Sequence, residues 1–222
     1  MRLVILGGPG AGKGTQAAKL CRHLAIPWIA TGDILRVAIS LADEATARER
    51  KSLAGDDDLP ATILQLGQPA NTDLVELGRQ AKSYVERGNL VPDELMIEFI
   101  RHRLLQPDVK PGWLLDGYPR TAFQAEELNF LLDDLGQRLD WAIWLNVSDE
   151  MMRQRSVDRS QGLMRKGSRR DNQPEVVENR IQAFRDSTVP ILEYYGRRDR
   201  LVTVNGNQSP GAVHQEIIQK LV

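Results

Sequence analysis

The residues with the clearest chemical potential stand near the start of the chain. Gly7-Gly8-Pro9-Gly10-Ala11-Gly12-Lys13-Gly14-Thr15 follows the short apolar run Leu3 to Leu6 and opens a stretch with apolar residues at helical spacing. Strand, glycine loop and helix form the setting in which a phosphate can be cradled. Glycines let backbone N–H groups converge on phosphate oxygens without Cβ atoms in the way. The helix N-terminus adds positive potential, and Lys13 would reach terminal phosphates as a point charge. The general pattern has Ser or Thr directly after the lysine. Gly14 stands there, so any hydroxyl must come from Thr15.

Two further sets of residues suit phosphate chemistry. Asp116 ends the apolar run Trp113 to Leu115. A carboxylate at such a strand end can hold a divalent cation, through water, opposite a phosphate loop. Arginines, numerous along the chain, are the second set. Their guanidinium forks stay charged and bind oxygens in pairs, as a reaction that crowds phosphate oxygens together requires. Arg153 and Arg165 lie in the same basic run and compete with Arg155 and Arg159 for a role. Nothing in the chain has the arrangement of a nucleophile triad, which favours direct in-line transfer over a covalent intermediate.

Positioning these groups takes a scaffold, and the apolar pattern supplies one. Leu3 to Leu6, Trp28 to Ala30, Trp113 to Leu115, Ala142 to Val147 and Leu201 to Val204 are apolar runs of strand length. Between them lie helical patterns such as Gln16 to Leu24, Asp93 to Leu105 and Pro174 to Tyr195. Strands apolar on both faces and separated by helices predict a five-stranded parallel sheet in a three-layer α/β/α fold.

The loop and the motifs after it resemble the adenylate kinases and their nucleoside monophosphate kinase relatives, in which GKGT is the usual form. The matching segments occur in order: Thr31-Gly32-Asp33-Ile34-Leu35-Arg36, then Gly88-Asn89-Leu90-Val91-Pro92-Asp93-Glu94. Leu114-Leu115-Asp116-Gly117-Tyr118-Pro119-Arg120-Thr121 follows, with Gln124 behind it, and then the run from Arg169 to Arg180. Ser168 and Asn172 depart from that last motif, which has Gly and Asp there. The resemblance implies a P-loop fold and reversible transfer of the terminal phosphoryl group of ATP to AMP, with Mg²⁺.

It also implies roles. Gly10 to Thr15 would bind ATP phosphates, and Asp116 the metal. Arg36 and Arg120 would grip the acceptor phosphate, while Arg159, Arg169 and Arg180 surround the transferring group. Arg155 and the turn Asn205 to Gln208 would meet the donor's adenine. Thr31, Asn89, Val91, Gly117 and Gln124 would line the AMP pocket. Thr31 and Thr121 favour AMP, since pyrimidine-specific relatives carry Ala and Asn in those places. Tyr118 replaces the commoner Phe, and its hydroxyl is expected to face water.

Two stretches break the strand–helix alternation. Residues 37–76 hold eight acidic and three basic residues, and residues 150–171 hold three acidic and seven basic ones. By resemblance the second is a short lid over the donor. Cys21 is the only cysteine, so this lid carries no Cys-based zinc site and the chain no internal disulfide. The first stretch enlarges the AMP-binding subdomain, 31–91, by about 30 residues, beyond ordinary loop lengths. It reads either as a solvated excursion with an acidic tip at Asp56 to Asp58, or as a helical hairpin. The apolar residues Leu41, Leu53, Leu59, Ile63, Leu64 and Leu66 motivate the hairpin.

Composition sets the remaining bounds. Lys plus Arg total 29 against 30 Asp plus Glu, a net charge of -1, which argues against nucleic acid as a partner. No apolar run approaches the ~18 residues of a membrane span. Cys21 is expected to be buried on the first helix. His23, His102 and His214 lack metal-ligand spacing and read as surface or hydrogen-bonded residues, and Trp141 and Trp144 as packing residues. The expectation is a cytoplasmic monomer acting on ATP and AMP or ADP. A kinase for UMP, CMP or another monophosphate, and a nucleotide-binding regulator without transfer activity, are the competing readings.

Overall fold

A computed structural model describes residues 1–54, 72–86, 91–163 and 174–221. The chain divides into two compact units, Met1–Ile29 with Pro107–Val222, and Ala30–Gln106.

The first unit is built on the sheet. Strands β1 (Arg2–Leu6), β2 (Trp28–Ala30), β3 (Trp113–Asp116), β4 (Trp141–Asn146) and β5 (Leu201–Asn205) lie in the order β2-β3-β1-β4-β5. All five fall where the apolar runs predict, within a residue at either end. The pairs β1–β3, β1–β4 and β4–β5 are parallel. Leu3 and Ile5 join Leu114, Ile143, Leu145 and Val204 in one core cluster, covered by Leu20 of α1 (Lys13–Leu24) and Ile217 of α8 (Pro210–Leu221). Val4, Trp113 and Leu115 are also fully buried, outside that cluster. Both faces of β1 and β3 are therefore covered, which is why their runs are apolar throughout, whereas β5 alternates buried and exposed residues. Helices α5 (Ala122–Asp134), α6 (Asp149–Leu163) and α7 (Pro174–Gly196) complete this unit, α7 packing on α5, α6 and β5.

The topology fixes where a ligand can sit. β1 is central and is the strand from which the chain departs in both directions across the sheet. Its C-terminal end, where the glycine loop begins, is the switch point at which open α/β sheets bind ligands.

The second unit contains α2 (Thr31–Ala54), α3 (Thr72–Glu86) and α4 (Asp93–Leu104). Two helices packed on each other account for the described part of the enlarged region, so the hairpin reading holds over 37–54 and 72–76. The acidic tip Asp56 to Asp58, with Leu59, Ile63, Leu64 and Leu66, lies outside the described residues. The seam differs from the leucine-rich one expected. Ala38, Ala42 and Ala81 are buried where α2 and α3 meet, and Gly78 is buried with them. A Cβ on Gly78 would stand 2.5 Å from the Ala38 carbonyl carbon and closer still to its oxygen. Glycine there lets the backbones approach to a distance no side chain permits. An ion pair between Lys82 and Asp43 joins the same two helices.

Candidate active site

The glycine loop runs from the end of β1 into α1. Gly10 has φ +74°, and Gly12 caps α1 in the left-handed conformation at φ +93°. Close packing as well as dihedral angle requires glycine at position 10. A Cβ there would lie 2.6 Å from the backbone oxygen of Met152 on α6. Lys13 folds back over the loop, its Nζ donating to the carbonyls of Gly7 at 2.6 Å and Gly8 at 3.0 Å. Ala11 is buried, Gly14 lies beside the Trp28 ring, and Thr15 is exposed at the start of the helix.

Asp116 sits beside this loop. It is the β3 residue in register with Ile5, two positions before Gly7. The turn that follows aims Arg120. Arg120 Nε donates to the Gly117 carbonyl at 2.8 Å, and its backbone N–H donates to Gln124 Oε1 at 2.6 Å. Thr121 caps α5, accepting from the Gln124 N–H at 3.1 Å. Partial desolvation lowers the Arg120 guanidinium from its ordinary value, the charge of Arg180 lowers it further, and Asp116 opposes both. Arg120 is thus within electrostatic reach of both Arg180, on α7, and Asp116, at the end of β3. Arg180 is exposed on α7.

A second set of groups gathers at the end of β5. Arg155, on α6, donates to the carbonyls of Gly206 at 2.9 Å and Gln208 at 3.4 Å. Gln208 Nε2 donates to the Asn205 carbonyl and to Glu216. The neighbour of Arg155 in the basic run, Arg153, instead makes a forked ion pair with Glu178, both bonds 2.7 Å. That pair raises the Arg153 pKa and lowers that of Glu178.

In the second unit, Thr31 is buried at the start of α2, Arg36 is exposed on the same helix, and Val91 is half-buried before α4. Asn89, Arg169 and Arg165, and the Arg159 side chain, lie outside the described residues, as do Ser168 and Asn172.

Several expectations need correction. Tyr118 is 2% exposed with its hydroxyl buried, so it does not face water; it stands two residues beyond the end of β3, among the buried residues of the first unit. Gln124 is buried, its oxygen accepting from the Arg120 N–H, which bears on no expectation made of it. His214 is not a satisfied histidine: its Nδ1 is buried without a hydrogen-bond partner among the described residues, its ring edge-on to His23 at 5.7 Å. Cys21 is half-buried against the core rather than within it. Trp141 packs on the core as expected. Sequence reading overlooked Gln16 and the Thr121 cap. Thr121-Ala-Phe-Gln124 has capping-box spacing, a signal that could have located the second.

Comparison with known proteins identifies the family. A family model described as adenylate kinase matches residues 67–200, and one described as an AAA domain matches residues 6–66. The chain is 51% identical to adenylate kinase 2 of a Nostoc species over 222 residues, covering 100% of this chain and 99% of that one. It is 44% identical to adenylate kinase 2 of a Synechocystis species over 221 residues, covering 100% of both. An adenylate kinase of Stenotrophomonas maltophilia is 38% identical over 206 residues, 93% of this chain and 91% of its own. With a family model over more than half of its length and relatives up to 51% identical over all of it, the chain belongs to the adenylate kinase family.

Proposed function

We propose that the chain transfers the terminal phosphoryl group of ATP reversibly to AMP, giving two ADP, by in-line displacement. The observation that carries this reading is Arg120, aimed by the Gly117 carbonyl and by Gln124 and within reach of the charges of Asp116 and Arg180, beside a strand paired with the one that enters the glycine loop. Binding alone needs the loop; a carboxylate and two mutually repelling arginines kept together need a ligand that crowds negative oxygens.

Each chain residue then has a defined task. Backbone N–H groups from Gly10 to Thr15 hold the donor phosphates, and Lys13 supplies a mobile charge to their terminal oxygens. Arg120 is oriented by the Gly117 carbonyl through Nε, so its terminal nitrogens fork onto the acceptor phosphate. Arg36 grips the same phosphate. Arg180, with Arg159 and Arg169, neutralises charge on the transferring group. An acceptor oxygen forms a bond to the γ-phosphorus as the bond to the β–γ bridging oxygen breaks, with no proton transferred. Asp116 and the Thr15 hydroxyl are hard oxygen ligands of the kind Mg²⁺ takes beside phosphates. When bound, that ion would offset negative charge on the phosphates.

Acceptor choice rests on Thr31, Asn89, Val91, Gly117 and Gln124, and donor choice on Arg155 and the Asn205–Gln208 turn. The compactness of Ala30–Gln106 supports assigning 31–91 to acceptor binding. Residues 150–171 act as a lid that excludes water, so that ATP is transferred rather than hydrolysed. Among the described residues no helix is long and apolar enough to cross a membrane. The same reading takes the chain to act as a cytoplasmic monomer, and the near-neutral net charge argues against nucleic-acid partners. An acceptor panel tests the proposal. AMP should give the highest kcat/KM with ATP as donor; higher values with UMP or CMP would replace it with another monophosphate kinase, and no product at millimolar nucleotide would make the chain a regulator.

A further inference from the structure

One buried side chain joins two segments that would meet opposite ends of a nucleoside triphosphate. Gln16 directly follows the glycine loop, on α1, and is 2% exposed. Its Nε2 donates to the carbonyl of Pro210 at 3.0 Å, 194 residues away in sequence. Pro210 begins α8 immediately after the turn at the end of β5. Lys19 Nζ reaches the same carbonyl at 3.5 Å. Arg155 holds the middle of that turn through the Gly206 and Gln208 carbonyls. The turn is therefore clamped at two points, by α6 at its centre and by the first turn of α1 at its end. All these residues belong to one compact unit.

Gln16 satisfies only half of its amide. Its Oε1 is buried with no hydrogen-bond partner among the described residues. A half-satisfied buried amide costs stability, and an apolar side chain of the same length would occupy the space without that cost. What the amide contributes in return is the bond to Pro210.

We propose that Gln16 is a positioning residue for selection of the donor base. It touches neither base nor phosphate. It fixes the turn relative to the phosphate loop, so that the base end and the phosphate end of one nucleotide are measured against each other. This rests on the reading that the Asn205–Gln208 turn meets the donor's adenine. Recognition by backbone groups discriminates between purines only while the backbone is held in place; once loosened, the turn accepts either purine with similar ease.

The test is Gln16→Met in the full chain, assayed with ATP and with GTP as donors and AMP as acceptor. The ratio of kcat/KM for ATP over GTP should fall about fivefold, the factor carried by one net hydrogen bond. The fall should come through the KM for ATP, with the KM for AMP unchanged. A purely structural role would depress both donors alike. Should Gln16→Met fail to fold, Lys19→Met weakens the same anchor from the exposed side and should shift the ratio in the same direction by less; an unchanged ratio there overturns the proposal. Arg155→Ala is the reference, since it disturbs the turn directly. A ratio lowered in Arg155→Ala and unchanged in Gln16→Met refutes the role of Gln16 and keeps the adenine reading. A ratio unchanged in both refutes the two together.

Discussion

Gly78→Ala offers a quantitative check on the hairpin of the second unit. Taken alone, the substitution favours the helix by about 1 kcal/mol, because glycine is the poorer helix former. The surroundings reverse the sign. The added methyl would meet the Ala38 carbonyl carbon at 2.5 Å and the Ile39 nitrogen at 3.1 Å, both backbone atoms that cannot rotate aside. Overpacking costs about 1–3 kcal/mol, and the upper end applies where backbone must yield. The net expectation is a loss of about 2 kcal/mol confined to the α2–α3 contact. Native-state hydrogen exchange reads this locally: amides of α2 and α3 should exchange about 30-fold faster, while the central strands keep their protection. Because α2 carries Thr31 and Arg36 in its first turns, the KM for AMP should rise and that for ATP stay level. Gly211→Ala is the control of opposite sign. It lies in α8 with nothing within 4 Å of the added atom, so it should stabilise by up to about 1 kcal/mol. Exchange in Gly78→Ala at the parent rate or slower would refute the reasoning, since it would mean the helices part without cost.

Other outcomes follow from the site and from two perturbed groups. Arg120→Lys keeps the charge but loses the fork, and should lower kcat at least 100-fold in a coupled ADP assay; a near-parent rate removes Arg120 from the reaction. Lys13→Met should lower kcat comparably and leave the thermal midpoint within a few degrees, as circular dichroism would report. Burial pushes the Cys21 thiol from 9.0 up to about 11, so at pH 8 iodoacetamide should modify it about 100-fold more slowly than an exposed cysteine. The folded state favours the neutral thiol, so its contribution to stability is intact below about pH 9 and lost as pH rises through about 11. Desolvation, then His23 and Lys19, hold His214 below its ordinary value. Its neutral form is the favoured one, so stability present above pH 6.5 should decline as pH falls, and His214→Gln should flatten that decline in urea denaturation between pH 7 and 5.

Much of this molecule is legible from the sequence, and what is not has identifiable causes. Strands β1 and β3, buried on both faces, announce themselves as unbroken apolar runs, and the partly exposed β2 and β5 still carry enough apolar residues to be located. The glycine loop is a local motif whose residues act within one turn of each other. The α2–α3 hairpin was harder to read because its seam is Ala38, Ala42, Gly78 and Ala81, which carry little hydrophobic signal although they pack most closely. Tyr118 misled because a phenol in place of Phe suggests solvent, whereas tertiary position decides burial. Long-range bonds to carbonyls, such as Gln16 to Pro210 and Arg155 to Gly206, leave no trace in composition, since every residue offers the same acceptor. Arg153 and Arg155 look equivalent in sequence and differ only in which neighbour α7 or the β5 turn brings to them.

The most direct measurement runs the reaction from its product side. Purified protein is given ADP and Mg²⁺ with no other nucleotide, and ³¹P resonances are followed in time. Reversible phosphoryl transfer predicts ATP and AMP appearing in equal amounts with no inorganic phosphate. Unchanged ADP, or AMP accompanied by phosphate, would contradict it.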